Sequence, residues 1–151
     1  MKITSPAFQT GEEMPAKFTC DGENISPPLN FEEVPEGTRS LVLIMDDPDV
    51  PEHIRSDRMW DHWVVFNIPP ETTGVAEGEE PPGVPGTGTA GNHKYHGACP
   101  PDGEHRYRFK LYALSDTLDL PKGSTKSQVE EVMQGIIIEQ VQLVGLYDRF
   151  Q

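Results

Sequence analysis

Apolar and polar positions alternate most clearly between His105 and Leu114, in the stretch HRYRFKLYAL. Tyr107, Phe109, Leu111 and Ala113 fall on one side of an extended chain, and Arg106, Arg108 and Lys110 on the other. This is the two-residue period of a half-buried strand. His105 is in phase with the apolar side, at the strand's entrance. Two further stretches are apolar without alternation, Ser40 to Met45 and Trp63 to Ile68, as expected of strands covered on both faces. Residues 2–9 predict a short first strand, and Val141 to Tyr147 a closing one. Helical spacing occurs once: Val129, Val132, Met133, Ile136, Ile137 and Gln140 follow i, i+3, i+4, i+7. Ser127-Gln128-Val129-Glu130 before it has capping-box spacing, and Gly135 inside it costs about 1 kcal/mol relative to Ala.

The remaining segments are punctuated by turn residues. Phe18 to Leu29 is turn-rich, with Asp21-Gly22 and Pro27-Pro28, and Phe31 to Gly37 reads as a connection. Pro69 to Glu104 has no sustained period. A loop of that length in a compact domain is functional or disordered. Tyr95, Cys99, Pro100 and Pro101 predict order over the sheet in its second half, whereas Glu77-Gly78-Glu79-Glu80 is expected to be mobile. There is no internal repeat and no linker. The expectation is one mainly β domain over residues 1–151.

Composition narrows the function classes. The chain has 151 residues, with 15 prolines and 14 glycines, which suits strands and long loops around a single core. No apolar run approaches the roughly 20 residues of a membrane-spanning helix. The first fifteen residues lack the apolar core of a secretory signal, so a cytoplasmic location is expected. In a reducing cytosol Cys20 and Cys99 are most simply free thiols, with a disulfide as the alternative. The net charge of -13 repels nucleic acid and anionic membranes at long range. It leaves room for a small anion in a locally basic pocket. All five histidines lie between positions 53 and 105.

Several motifs carry less chemistry than their letters suggest. Gly86-Thr87-Gly88-Thr89-Ala90-Gly91 spells a dinucleotide fingerprint but follows no strand and opens no helix. His93 and His96, or Asp47, Asp49 and His62, could ligate a metal, but no tight ligand set appears, and neither metal nor cofactor is expected. Cys99 sits in the proline-flanked segment Gly97-Ala98-Cys99-Pro100-Pro101, without a helix N-terminus to lower its pKa. It reads as a small residue packing the loop. No nucleophile with a positioned base is evident, so a hydrolase using His62 or His105 as base ranks last, and the chain is read as a non-enzyme.

Asp47, His62, His105 and Tyr107 form a stronger set, all at or near strand ends. Two imidazoles, a phenol and a carboxylate can direct hydrogen bonds at a phosphate or carboxylate. Asp47 fits such a site if it accepts from His62 and holds that ring charged, or if it keeps its own proton. A polar knot at the sheet's end is the structural alternative.

These residues also carry a resemblance. Phe18-Thr19-Cys20-Asp21-Gly22, Asn24-Ile25-Ser26-Pro27-Pro28-Leu29, Asp47-Pro48-Asp49-Val50-Pro51, His62-Trp63-Val64-Val65-Phe66-Asn67-Ile68-Pro69 and Gly97-Ala98-Cys99-Pro100-Pro101-Asp102-Gly103-Glu104-His105-Arg106-Tyr107 follow one another in the order and spacing of the phosphatidylethanolamine-binding protein family, also called Raf kinase inhibitor-like proteins. The chain resembles a bacterial or archaeal member over nearly its whole length. The resemblance implies a large antiparallel sheet with a smaller sheet against it and one or two helices near the C-terminus. It also implies a small pocket for anions such as phosphate or a phospholipid head group. By motif, that pocket would use Asp47, His62, Pro101, His105 and Tyr107, with Asp49 and Trp60 as neighbours. The partners implied are a phosphorylated small molecule, a kinase or protease target engaged through residues 70–104, and a second copy of the chain in a homodimer.

Overall fold

Residues 1–150 are described by a computed structural model. In chain order the strands are β1 (Lys2–Thr4), β2 (Leu29–Glu32), β3 (Ser40–Asp47), β4 (Trp60–Ile68), β5 (Gly74–Val75), β6 (Val84–Pro85), β7 (His105–Leu114) and β8 (Ile137–Tyr147). A 3-10 turn covers Ala16–Phe18, and one helix, α1, covers Lys126–Met133. The large sheet runs β6-β4-β3-β7-β8 and the small one β1-β2-β5. Every pairing between these strands is antiparallel.

β3 sits at the centre of the large sheet and every one of its residues is buried. Leu41, Leu43 and Met45 point into the core between the sheets, with Phe31, Trp63, Phe109 and Leu111. Val42 and Ile44 point the other way, onto Val64, Phe66, Val129 and Met133, where α1 covers the second face. Burial on both faces explains why β3 and β4 read as unbroken apolar runs. β7 matches its expected bounds.

The expected strand at Ser40 to Met45 continues through Asp46 and Asp47, because both carboxylates find partners inside the fold. Asp46, fully buried, meets Arg108 at 2.7 Å, Lys110 at 2.7 Å and Lys126 at 2.9 Å. The segment read as a connection from Phe31 begins within a strand: Leu29 and Phe31 are buried and Asn30 and Glu32 exposed. Four residues of alternation are too few to separate from a turn by pattern alone.

The helix differs from expectation at both ends. Its cap is Thr125, not Ser127: Thr125 Oγ1 accepts from the Gln128 backbone N–H, and Gln128 Oε1 accepts from the Thr125 backbone N–H. The helix stops at Met133. Gly135 adopts φ +85°, a left-handed conformation that glycine takes without a Cβ penalty, so it acts as terminator rather than weak point. Ile137, apolar at helical spacing, instead pairs with Leu114, and Glu139 with Ala113, as the start of β8.

The long loop is tied down. Trp63 Nε1 donates to Glu80 Oε1 at 2.8 Å, Lys17 pairs with Glu77 at 2.7 Å, and Ser26 Oγ donates to the Glu79 carbonyl at 3.0 Å. With the Gly78 backbone N–H donating to the Ser26 carbonyl at 2.9 Å, the acidic segment expected to be mobile is fastened at all four of its residues. Cys20 and Cys99 form a disulfide across 79 positions, which corrects the free-thiol expectation. The Cys20 backbone N–H donates to the Ala98 carbonyl at 3.0 Å beside it.

Candidate functional site

A register shift in the sheet aims His62. Met45 lies opposite Trp63 and Asp46 opposite Asp61, so His62 is the extra residue of a β-bulge on β4. Bulges re-aim side chains and recur near sites. Here the bulge breaks the alternation. Asp61 pairs with Lys126 beneath α1. Trp63 enters the core between the sheets, and so does His62, edge-on to Tyr107 with ring centroids 5.4 Å apart.

At this end of the sheet is a cavity of about 270 Å³. Asp47, Trp60, His62, Pro101 and Tyr107 line it, as expected from the sequence, and so do Val50, Ile54, His96, Gly97 and Cys99. Asp47 closes β3 opposite Trp60, the first residue of β4. Tyr107 enters from β7 and is completely buried. Pro101 and Cys99 come from the loop held by the disulfide.

Two expected residues stand outside. Asp49 turns away and binds Arg106 through both oxygens, at 2.8 and 2.9 Å, and also accepts the Arg106 backbone N–H. The Arg106 hydrogen bond, against some burial, holds its carboxyl below the usual range. His105 lies behind the cavity wall, its ring stacked 6.3 Å from that of Tyr107. Its Nδ1 is 2.6 Å from Asp47 Oδ2 and its Nε2 is 2.6 Å from Asp102 Oδ1. Both ring nitrogens face carboxylates, the arrangement of an imidazolium. Burial opposes that charge, but the hydrogen bonds to Asp47 and Asp102 outweigh it and the His105 pKa is raised. His105 is thus a support for Asp47 rather than a donor to the cavity.

The expectation that Asp47 holds His62 charged is corrected too. Asp47 is committed to His105 and to the Asp49 backbone N–H at 2.8 Å. Its burial pushes its pKa up, against those hydrogen bonds. His62 Nδ1 lies 2.7 Å from the His96 carbonyl, which can only accept, so Nδ1 carries the hydrogen. Burial, only partly offset by that hydrogen bond, lowers the His62 pKa to about 4. The ring is neutral at neutral pH. Tyr107 Oη is buried and makes no hydrogen bond of good geometry among the described residues, with the Asp47 carboxylate as its near acceptor. Burial, reinforced by the nearby Asp47 carboxylate, pushes its pKa well up, so it remains a protonated donor.

Sequence reasoning missed Asp102 and His96. Asp102 was legible in principle: it stands three residues before His105 in a motif already singled out. His96 acts through its backbone carbonyl and through its ring, stacked 5.8 Å from His62. No residue-type pattern signals a carbonyl.

A two-sheet β fold with a small cavity at one end of the large sheet, walled by an aspartate, a histidine and a tyrosine from three successive central strands, defines the class. The profile of the family described as phosphatidylethanolamine-binding protein matches residues 4–148, and the chain belongs to that family. A UPF0098 protein of Chlamydia pneumoniae is 48% identical over 99% of each chain. Another, of Methanothermobacter thermautotrophicus, is 46% identical over 99% of each. The crystal structure of a phosphatidylethanolamine-binding protein homologue of Chlamydia trachomatis superposes with a TM-score of 0.94 at 46% identity, covering 97% of this chain and 96% of that one. Escherichia coli YbcL, described as a new member of the mammalian family, superposes with a TM-score of 0.86 at 31% identity over the same shares.

Proposed function

We propose that the protein is a binding module that captures an oxyanion, phosphate or the phosphoryl group of a small molecule, in the cavity beside His62. The observation that carries this reading is the Tyr107 hydroxyl, a buried donor without a partner on the wall of a cavity. Buried polar groups are normally satisfied, and a ligand oxygen would satisfy this one. Val50, Ile54, Trp60 and Pro101 supply an apolar surround, in which a hydrogen bond to a charged oxygen is strong. The reading is one of binding rather than catalysis.

A phosphate titration followed by histidine and tyrosine NMR shifts tests it. A hydrogen bond to a charged group contributes about 1.5–3 kcal/mol, so Tyr107→Phe should weaken phosphate binding by about 10- to 150-fold. Superimposable curves for wild type, Tyr107→Phe and His62→Ala refute the reading. The inhibitory alternative, through residues 70–104, gains no support from a loop fastened to β4 by Glu80 and to the N-terminal turn by Glu77 and the disulfide. A cytoplasmic location belongs to this reading only where the cytosol tolerates disulfides, as in hyperthermophiles. Among the described residues, no helix is long and apolar enough to cross a membrane.

A further inference from the structure

Tyr107 and His62 offer a ligand one donor and one acceptor; the His96 ring and the Asp47 carboxylate, already bonded to His105 and the Asp49 N–H, also line the cavity. The donor is Tyr107 Oη, unpartnered and completely buried. The acceptor is His62 Nε2. Its Nδ1 hydrogen is held by the His96 carbonyl at 2.7 Å, so the lone pair of the neutral ring is on Nε2, and Nε2 has no hydrogen bond among the described residues. For Nε2 to donate, the ring would have to charge in a buried site.

On balance, the groups facing His62 do not favour that charge. From β3, Asp47 is bonded to His105, and Asp46 favours the charge but is itself held by Arg108, Lys110 and Lys126, so that burial outweighs it. From β7, His105 opposes it as a like charge and Tyr107 is neutral. From the loop, the His96 ring is stacked on it. The low pKa of His62, about 4, agrees with this geometry.

The cation nearest the cavity, His105, spends both N–H groups on Asp47 and Asp102. With both carboxylates ionised, that three-group cluster carries one net negative charge. It repels a dianion at close range in a medium of low dielectric.

Resting on the proposed function, we infer that the cavity takes its oxyanion as the protonated monoanion, a phosphate or phosphomonoester whose remaining P–OH donates to His62 Nε2 while an unprotonated oxygen accepts from Tyr107 Oη. Sulfate and phosphodiesters, which have no acid proton at neutral pH, leave Nε2 facing a ligand lone pair. Discrimination is strongest when a buried group is left unpaired in this way.

The test is calorimetric titration of the full chain with O-methyl phosphate, dimethyl phosphate and sulfate between pH 5 and 8. The second pKa of a phosphomonoester is near 6, so O-methyl phosphate affinity should fall about tenfold per pH unit above roughly that value. At pH 5.5, sulfate and dimethyl phosphate should bind at least tenfold more weakly than O-methyl phosphate. His62→Gln places an amide there that can turn its NH2 to the ligand, and should narrow the gap. Tyr107→Phe should weaken O-methyl phosphate without opening the site to sulfate. Sulfate binding as tightly as O-methyl phosphate, or affinity that stays flat or rises with pH, overturns the inference and leaves oxyanion capture standing. Absence of heat or shift with all three ligands overturns both.

Discussion

Tyr107 makes the sharpest single-residue case. Its hydroxyl costs desolvation and regains no hydrogen bond of good geometry among the described residues, so removing it relieves the apo fold. Tyr107→Phe should leave the urea midpoint unchanged or raise stability by about 1 kcal/mol, while phosphate binding weakens by about 10- to 150-fold. A clear fall in stability would show that the hydroxyl is satisfied in solution. Asp102 acts on His105 at 2.6 Å from a half-exposed position. Asp102→Asn removes one of the two carboxylates that favour the charged ring, so the His105 pKa should fall, as read from its NMR titration. The sign for stability follows. A raised His105 pKa stabilises the fold below the ordinary value of 6.5, and that contribution is lost as pH rises through the folded value. Which residues gather at one cavity was largely legible: Asp47, Trp60, His62, Pro101 and Tyr107 all reach it. Their pairing was not. A bulge at His62 and the choice of His105 as Asp47's partner depend on register between strands far apart in sequence, which residue types do not encode.

Among the elements, β3, β7, β4 and α1 are held at one corner by charge. Asp46 on β3 gathers Arg108 and Lys110 from β7 and Lys126 from α1, and Lys126 also reaches Asp61 on β4 at 3.2 Å. Burial raises the cost of charging Asp46, but its three cations outweigh it and its pKa is lowered. Its contribution is therefore present above the ordinary 3.8 and lost as pH falls through the folded value. Asp46→Ala leaves three converging cations without their counter-charge and should cost about 3–5 kcal/mol in urea unfolding. A loss under 1 kcal/mol would mean that the cations reach solvent. Long, strongly patterned elements such as β7 were legible. The errors fell where a local rule met tertiary pairing: Ile137 and Gln140 fit a helix by period, yet the free edge of β7 and the left-handed Gly135 make them a strand.

For the whole molecule, the Cys20–Cys99 bridge closes a span of 79 positions and joins the N-terminal turn to the cavity loop. Chain-entropy reasoning assigns such a span about 4 kcal/mol. Reduction, or joint Cys20→Ala and Cys99→Ala replacement, should lower the melting temperature by roughly 10 °C, and an unchanged melt would show that the bridge constrains nothing. Composition could not reveal the pairing, since two cysteines count the same whether they are joined or apart. The central strand gives the molecule a clock. Every residue of β3 is buried and hydrogen-bonded strands lie on both sides of it. Its amide hydrogens can therefore trade with deuterium only when the sheet opens globally. Because that strand ends at the cavity with Asp47, any molecule gripped there should slow isotope uptake at Ile44 by the factor that its occupancy predicts.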